Sequence, residues 1–424
     1  MVNIGIIGLG TVATGVVETL QMNREFIEQK TGRKINIKKV LVKNIDKPRK
    51  VDLQGKLTID PDELLEDESI EIIVELMGGE EPAFTFLKKA LNKGKHVVTA
   101  NKELISIHGR ELLELAKANK KQLLFEASVA GGIPIIRPLK QSLASNDIKE
   151  IIGIINGTTN YILTEMTEKG ANFQEILAEA QEKGYAESDP TADVEGLDAA
   201  RKLSILSSIA FNSRVTPEEI YTQGITQISR KDIQYARELG HVIKLIAWAR
   251  KRNGEIECMV SPTLINKKHP LANVNDVYNA VMVKGYPVGD VMFFGKGAGK
   301  NPTASAVVAD IIDITRNLEG KNMMGCSCFM NRKVVPYKKI ESQFYIRMSV
   351  VDKPGVLAKI AKAFGDNNVS LSSVVQKNTA GDLAELVLIT HKTVRENLDA
   401  ALEEIQALSQ TREIAIVLKV EGDE

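Results

Sequence analysis

Alternating blocks of apolar and polar residues in the first third of the chain predict strands and helices in turn. Residues 2–7 are apolar and strand-like, and a glycine turn at 8–15 leads from them into a helical pattern at 16–22. Further strand-like runs, separated by helical patterns, are expected at residues 35–42, 70–76, 95–99 and 122–126. Strands that alternate with helices predict a parallel, doubly wound α/β sheet, whose ligands bind at the carboxyl ends of the strands.

The pattern changes after Pro138 to a long strand at residues 150–155, followed by several helices. Apolar spacing predicts one of these helices at 196–211, and another is expected at 303–316 after a second glycine-rich turn. We expect the latter helix to pack back on the first domain. A cofactor-binding half supplies no substrate specificity, so residues 136–318 are predicted to form an α/β substrate and dimerisation domain.

The C-terminal segment has a pattern of its own. After a polar, basic stretch, residues 343–424 read as strand, helix, strand, strand, helix, strand. This order is a ferredoxin-like plan. The sequence therefore predicts an α/β protein made of a doubly wound domain, a middle domain, a linker and a ferredoxin-like domain, at 1–135, 136–318, 319–342 and 343–424, respectively.

Composition narrows the classes of partner. The chain has 424 residues, 43% hydrophobic and 26% charged, which is typical of a globular protein with roughly two or three domains. Its 55 basic and 55 acidic residues cancel, so no net field favours nucleic acid or an anionic membrane as a partner. The N-terminus has no signal-peptide pattern and no run of about 18 apolar residues occurs, so we expect a cytoplasmic protein.

The three cysteines, Cys258, Cys326 and Cys328, are too few for a disulfide framework. Cys326 and Cys328 are too close in sequence to favour a bridge within the chain, and we expect inert thiols rather than a redox link between subunits. No paired cysteine and histidine spacing typical of zinc accompanies them. The five histidines are scattered, which argues against a histidine-centred metal site.

The glycine turn after the first strand has the features of a dinucleotide-binding fingerprint. Gly8 permits the tight turn, Gly10 lets the backbone approach a pyrophosphate, and Ala13 lets the helix pack closely. The second strand ends in Lys43 rather than in the acid that binds the ribose 2′-hydroxyl of NAD. Lys43 suits a 2′-phosphate, so NADP is the expected cofactor and NAD the alternative. The structural alternative for the glycine motif is a plain turn, and the alternative for Lys43 is a solvated turn residue.

Two later strand ends carry further candidates. Lys102 follows the strand at 95–99 and would project near the nicotinamide, unless it is a surface lysine that begins the next helix. After the strand at 122–126 the chain turns sharply through two glycines, so several backbone carbonyls can converge beside Glu126. Oxygen ligands of this kind suit a hard cation.

The stretch GYAESDPTADVEGLDAARK at residues 184–202 gathers carboxylates and a lysine. Asp198 and Lys202 share a face of the predicted helix, and Glu187 lies on the loop before it. These carboxylates can bind the ammonium of an amino acid while the lysine donates a proton to a nearby oxygen. The structural alternative is an ordinary Asp–Lys helix pair, which stabilises by roughly 0.3–0.5 kcal/mol.

Six motifs, in order, carry a resemblance to a known family: GLGTVATG at 8–15, TANK at 99–102, EASVAGGIPII at 126–136, NGTTNYIL at 156–163, the segment at 184–202 and GKGAGKNPTASAVVADI at 295–311. On these motifs the chain resembles a homoserine dehydrogenase with a C-terminal ACT domain. The resemblance implies NAD(P)-linked interconversion of L-homoserine and L-aspartate 4-semialdehyde, in the shared route to threonine, methionine and isoleucine.

The resemblance also implies roles for single residues. Lys202 resembles the catalytic lysine, and Lys102 a second lysine close to substrate and nicotinamide. Glu187 and Asp198 resemble the substrate-binding acids. Glu126, with the carbonyls of Val129, Gly131 and Ile133, resembles the family's monovalent cation site, usually assigned as sodium. The positions associated with the cofactor are Gly8, Gly10, Thr11, Val12, Lys43, Thr99, Lys102, Gly184 and Gly299.

The C-terminal domain resembles an ACT domain, in which small amino acids often bind between paired domains. We expect L-threonine to inhibit through this domain, with Asp352, Gly355 and Asn367 as the regulatory candidates. A homo-oligomer, dimer or tetramer, is expected through ACT and middle-domain surfaces. The alternative is a dimerisation module without an effector.

Two other functions stay open. Another Rossmann dehydrogenase with an ACT tail, of hydroxyacid or prephenate type, would usually rely on a catalytic histidine, and no histidine here lies in a suitable motif. A noncatalytic amino-acid sensor is of a different class. The presence of both Lys102 and Lys202 argues against it, because a sensor needs no paired lysines.

Overall fold

The computed structural model describes residues 1–53, 55–318, 326–378 and 381–422. Two compact units alternate along the chain. The first unit consists of Met1–Ile151, Arg201–Pro217 and Asn279–Arg332, and the second of Ile152–Ala200, Glu218–Tyr278 and Lys333–Glu424. Of the predicted linker at 319–342, residues 319–325 lie outside the described residues.

The first unit begins with alternating strands and helices. They are β1 (Val2–Ile7), α1 (Thr11–Met22), α2 (Arg24–Thr31), β2 (Ile35–Leu41), β3 (Leu57–Thr58), α3 (Asp62–Leu65), β4 (Ile72–Glu75), α4 (Ala83–Asn92), β5 (His96–Thr99), α5 (Lys102–Ala118) and β6 (Leu123–Leu124). All strand pairs are parallel and the sheet order is β3-β2-β1-β4-β5-β6. This is the doubly wound order of the Rossmann fold, so the predicted fold of this region is confirmed.

The core of this sheet explains its sequence pattern. The central strands are buried on both faces, and for that reason they read as continuous apolar runs. Helix α11 (Lys300–Arg316) adds Ala304, Val307 and Ile311 to the same core. Gly15 of α1 allows this approach, because a Cβ atom there would lie 2.9 Å from the backbone oxygen of Lys300.

The middle of the chain is richer in strands than the sequence analysis predicted. Its elements are β7 (Asp147–Ile154), α6 (Gly157–Lys169), α7 (Phe173–Glu182), α8 (Thr191–Val194), α9 (Leu197–Ala210), β8 (Tyr221–Thr222), α10 (Arg230–Glu238), β9 (His241–Arg252), β10 (Glu255–Asn266), β11 (Tyr278–Tyr286) and β12 (Gly289–Lys296). Strands β9 and β10 form a long antiparallel hairpin. Asn253 and Gly254 connect them with positive φ angles of 51° and 84°. An Asn-Gly pair is a strong hairpin signal that the sequence analysis missed.

The C-terminal elements belong to the second unit. They are β13 (Glu341–Val351), α12 (Val356–Asp366), β14 (Leu371–Asn378), β15 (Leu383–Thr390), β16 (Thr393–Val394), α13 (Arg395–Ala407) and β17 (Thr411–Glu421). Strands β17, β13, β15 and β14 lie side by side in that order, all antiparallel, and α12 and α13 pack on them through an apolar core. The predicted ferredoxin-like plan is confirmed. Across the described residues, no helix combines the length and apolar character required to cross a membrane.

Candidate active site

The turn between β1 and α1 presents a helix N-terminus to solvent. Gly8 has a φ of 88°, and a Cβ atom there would lie 3.0 Å from the Met77 Cα, so glycine is required. Gly10 caps α1 with nothing within 4 Å of a Cβ at its position, and Thr11 is exposed. The first turn of α1 contains no acidic residue. Free backbone N–H groups and the helix dipole therefore favour an anion such as a pyrophosphate here.

A groove of about 470 Å³ extends from this turn along the carboxyl ends of β1, β2 and β4. The described residues that line it include no acidic side chain. They include three basic ones, Lys43, Lys47 and Arg49. Lys43 and Lys47 are exposed. Arg49 is half-buried and holds the loop instead, since its Nη1 donates to the carbonyls of Ile45 at 2.8 Å and Lys47 at 2.6 Å. The groove thus offers positive charge where a carboxylate would select NAD.

Lys102 is placed by a capped helix start. Asn101 accepts a hydrogen bond from the Leu104 N–H at 3.1 Å and donates to the Gly79 carbonyl at 2.7 Å. This cap makes Lys102 the first residue of α5, where its side chain is half-buried. The position follows from the Thr-Ala-Asn-Lys motif, in which the asparagine is a preferred helix cap.

Glu75 is a site residue that the sequence analysis missed. It ends β4 fully buried, accepts from the N–H groups of Met77 and Gly78 at 2.8 and 3.2 Å, and accepts from the Thr99 hydroxyl at 2.5 Å. The Thr99 side chain is therefore committed to Glu75, and only the backbone of Thr99 is left to meet a cofactor. A carboxylate at the end of an otherwise apolar strand was the available signal.

Glu126 lies in a cradle of backbone N–H groups. Its carboxylate accepts from Ile135, Ile136 and Arg137 at 2.6, 2.8 and 2.7 Å. The Glu126 N–H in turn donates to Asp310 at 2.9 Å, and the Arg137 guanidinium donates to the other Asp310 oxygen at 2.9 Å. Burial raises the pKa of Asp310 to about 7, and the charge of Glu126 acts in the same direction.

The loop after Glu126 offers carbonyl oxygens. Within the described residues, no backbone N–H donates to the carbonyls of Val129, Gly131 or Ile133, all of which belong to buried residues. Gly131 has a φ of 49°, and a Cβ atom there would lie 2.3 Å from the Gly297 oxygen. Carbonyl oxygens of this kind, on the loop that follows Glu126, suit a hard monovalent cation. The described residues contain no cluster of three or more His, Cys, Asp or Glu that could hold another metal.

Asp198 is held in one orientation by a residue that the sequence analysis did not select. Asn156 caps α6 by accepting from the Thr159 N–H at 2.9 Å. Its amide donates to Asp193 at 2.7 Å and to Asp198 at 2.9 Å. Asp198 is only 6% exposed. The motif NGTTN contained this signal, because an asparagine before a helix has a free amide group once its oxygen serves as the cap.

The other residues of the acidic segment lie on a loop and on α9. Glu187 is exposed, and its carbonyl accepts from the Gln181 amide at 3.0 Å. Gly184 ends α7 with a φ of 73°. Lys202 lies one turn after Asp198 on α9, as predicted, and is half-buried. Lys102 and Lys202 belong to the first unit, and Glu187 and Asp198 to the second.

Comparison with known proteins gives the family. The NAD-binding domain of homoserine dehydrogenase matches residues 8–126, the homoserine dehydrogenase domain matches 134–312, and the ACT domain matches 344–410. A homoserine dehydrogenase of Synechocystis sp. is 46% identical over 99% of this chain and 99% of its own length. The chain belongs to the homoserine dehydrogenase family.

Solved homoserine dehydrogenases share the fold. The crystal structure of the enzyme from Thiobacillus denitrificans has a TM-score of 0.95 at 42% identity, covering 99% of this chain and 98% of that one. A hyperthermophilic archaeal homoserine dehydrogenase in complex with NADPH has a TM-score of 0.64 at 30% identity, covering 76% of this chain and 99% of that one. The predicted family, its nicotinamide-cofactor domain and its ACT domain are confirmed.

The regulatory candidates do not form one cluster within a single ACT domain. Asp352 follows β13 and accepts from the Gln376 amide at 3.1 Å, and Gly355 caps α12 with a φ of 84°. Asn367 lies at the other end of α12 and donates to Glu404 at 3.1 Å. The helix separates the two ends by about 16 Å, given a rise of ~1.5 Å per residue. Within one chain Asn367 therefore lies at the opposite end of α12 from Gly355, and its regulatory role stays a prediction.

Proposed function

We propose that this homoserine dehydrogenase family member catalyses the NAD(P)-dependent interconversion of L-homoserine and L-aspartate 4-semialdehyde. Similarity to curated homoserine dehydrogenases over 99% of the chain, with all six motifs present, carries the proposal. Its four candidate residues for the reaction are Lys102, Glu187, Asp198 and Lys202.

Each candidate has a defined task. The nicotinamide, when bound, supplies the hydride for C4 of the semialdehyde or accepts it from homoserine. The substrate oxygen gains negative charge during reduction, and Lys202 donates a proton to it while Lys102 adds positive charge. Asp198 and Glu187 bind the substrate ammonium. Because Asn156 already holds the Asp198 carboxylate at 2.9 Å, little orientational freedom is lost when the substrate binds.

NADP is the proposed cofactor, with NAD as the weaker alternative. The exposed Lys43 and Lys47 and the absence of acidic residues among the described lining of the groove support this preference. Glu126 and the carbonyls of Val129, Gly131 and Ile133 would hold a monovalent cation, sodium by resemblance, which would fix the loop near the cofactor domain. The enzyme is proposed to act in the cytoplasm as a homo-oligomer.

L-Threonine is the proposed effector, and the N-terminus of α12 its site. Asp352 and Gly355 precede this helix, whose N-terminus and dipole favour a carboxylate such as that of an amino acid. Asp352→Ala should weaken threonine inhibition and leave turnover without threonine unchanged. The matched control is Asp366→Ala, which removes an acid from the opposite end of α12, where it pairs with Lys362. An equal threonine response in both variants would contradict the proposed site.

A direct spectrophotometric assay tests the proposed dehydrogenase activity. Purified full-length protein with L-aspartate 4-semialdehyde should oxidise NADPH, and the absorbance of the reduced nicotinamide should fall with time. The same protein with L-homoserine and NADP should run the reverse reaction. Repeating both with NADH and NAD measures the cofactor preference. Cofactor binding without turnover of either substrate would refute the proposal, and turnover of a hydroxyacid instead would point to the other dehydrogenase class.

A further inference from the structure

A small cavity in the first unit lies between α5, α9 and the segment that begins at Cys326. Its apolar wall includes Ile105, Phe125 and Ile205. Its polar wall includes two thiols and three cationic side chains, which are Cys326, Cys328, Arg110, Lys140 and Arg214. The volume is about 30 Å³. A water molecule requires roughly 10–15 Å³ of such volume, so the cavity accommodates a molecule of about two oxygen atoms.

The backbone of Cys328 contacts the Cys326 sulfur. The Cys328 N–H donates to the Cys326 Sγ at 3.4 Å, and the Cys328 Sγ lies 3.8 Å from the Ser208 carbonyl oxygen. Both cysteines are half-buried, whereas Cys258 is buried in strand β10. Cys326 also lines a neighbouring depression of about 390 Å³, which gives it a second exposed side.

The surroundings favour a thiolate at Cys326. Hydrogen bonds from Cys328 lower the pKa of the Cys326 thiol, and the positive charge of Lys140 acts in the same direction. Arg214 is fixed at the same wall, where its guanidinium donates to the Ile107 carbonyl at 3.0 Å. The Cys328 and Cys258 thiols have raised pKa values, the first through its hydrogen bond to Cys326 and the second through burial. Only the thiolate form is a strong nucleophile.

We propose that Cys326 is a peroxide-reactive thiol and that Cys328 is its resolving partner. The Cys326 thiolate attacks one oxygen of hydrogen peroxide; the O–O bond breaks, hydroxide leaves and takes up a proton to become water, and sulfur is oxidised to sulfenic acid. The Cys328 thiol then displaces the sulfenic hydroxyl, which leaves as a second water, and an S–S bond forms. A bridge across one intervening residue is strained, so thiol reductants should reopen it readily.

Oxidation of the reduced full-length protein by hydrogen peroxide tests the proposal. Wild type should lose two free thiols in one fast phase and regain them with dithiothreitol, and peptide mapping should locate the bridge between Cys326 and Cys328. In Cys328→Ser, a dimedone adduct should accumulate on Cys326. In Cys326→Ser, the fast phase should disappear.

The contribution of the Lys140 charge to the oxidation rate of Cys326 is tested with a separate pair of variants. Measured at a pH below the pKa of the Cys326 thiol, Lys140→Gln should slow the fast phase by up to about tenfold, corresponding to roughly one unit in that pKa. Lys117→Gln, which removes an exposed lysine from α5, should leave the rate unchanged. Oxidation of Cys258 at a similar rate, a bridge between two chains, or no adduct on Cys326 in Cys328→Ser would each overturn the proposal. The Cys328→Ser result does not depend on whether Lys140→Gln folds.

Discussion

Single residues determine the proposed chemistry, and Lys202 has the most direct role among them. Its replacement in Lys202→Ala should lower kcat by roughly 10²–10⁴-fold, because the proton donor for the substrate oxygen is lost. The affinity for NADPH should stay near wild type. Steady-state rates and NADPH fluorescence titration measure the two effects. Lys169→Ala, which removes a lysine paired with Glu165 and Glu179, serves as the control. Retained turnover in Lys202→Ala would contradict the assignment.

Replacement of another single residue, Lys43, tests the proposed preference for NADP. Lys43→Ala should raise the KM for NADPH by about tenfold or more, because a charge-assisted hydrogen bond contributes roughly 1.5–3 kcal/mol. The KM for NADH should change little, since NADH has no 2′-phosphate. Lys50→Ala is the matched control, as Lys50 is exposed but does not line the groove. Equal changes for both cofactors would show that Lys43 does not contact the phosphate.

At the scale of elements, a buried histidine links β5 to the start of β6. The His96 Nδ1 accepts from the Gln122 N–H at 3.1 Å, and burial, with the charge of Lys121, lowers the His96 pKa to about 4. An unfolded chain has an ordinary histidine pKa near 6.5, so it binds more protons than the folded chain between those values. The contribution of neutral His96 to the free energy of unfolding is therefore complete above pH ~6.5 and is lost as the pH falls towards ~4.

The size of this effect is measurable. Unfolding free energy should fall by up to about 3 kcal/mol across that window because of His96, which is 1% exposed. Chemical denaturation at several pH values should show a flatter profile for His96→Gln than for wild type. His391→Gln, which replaces an exposed histidine, should follow the wild-type profile. Parallel profiles for His96→Gln and wild type would contradict the assignment.

At the scale of the whole molecule, a buried ion-pair network fastens the ACT sheet to α10 within the second unit. Arg347 of β13 donates to Asp232 of α10 at 2.7 Å and to Glu385 of β15 at 3.1 Å. The two carboxylates have side-chain exposures of 0% and 5%. Tyr235 and Lys231 of α10 also donate to Glu385, at 2.5 and 3.2 Å. The ACT domain is thus held to its neighbour by desolvated charge.

Breaking this network should cost far more than breaking a surface pair. Arg347→Met should destabilise the folded second unit by about 3–5 kcal/mol, because Asp232 and Glu385 lose their buried partner. Lys362→Met, which breaks the exposed pair with Asp366, should cost no more than about 1 kcal/mol. Urea denaturation followed by circular dichroism measures both. Similar midpoints for the two variants would rule out a stabilising role of the network.

Local patterns were enough for much of the fold. Buried parallel strands are apolar on both faces, so β1, β4 and β5 stand out as short runs, and helix periodicity predicted α9 and α11 to within a few residues. Gly8 and Gly131 could be selected because each needs a positive φ in a tight turn. The hairpin of β9 and β10 has a local signal in Asn253-Gly254, whereas β11 lies beside β7, which is distant in sequence and leaves no local signal of the pairing.

The family, the cofactor class and the candidate residues could be predicted from the amino-acid sequence alone, because contiguous motifs encode them; the candidate residues are Lys102, Glu187, Asp198 and Lys202. The hydrogen-bond partners that orient residues of the site, in contrast, are known only from the fold. The Asn156 amide meets Asp198 across 42 positions, and the Glu126 N–H meets Asp310 across 184. Hydrogen bonds are short-ranged and directional, so spacing along a chain cannot reveal a pair that folding alone brings within 3 Å.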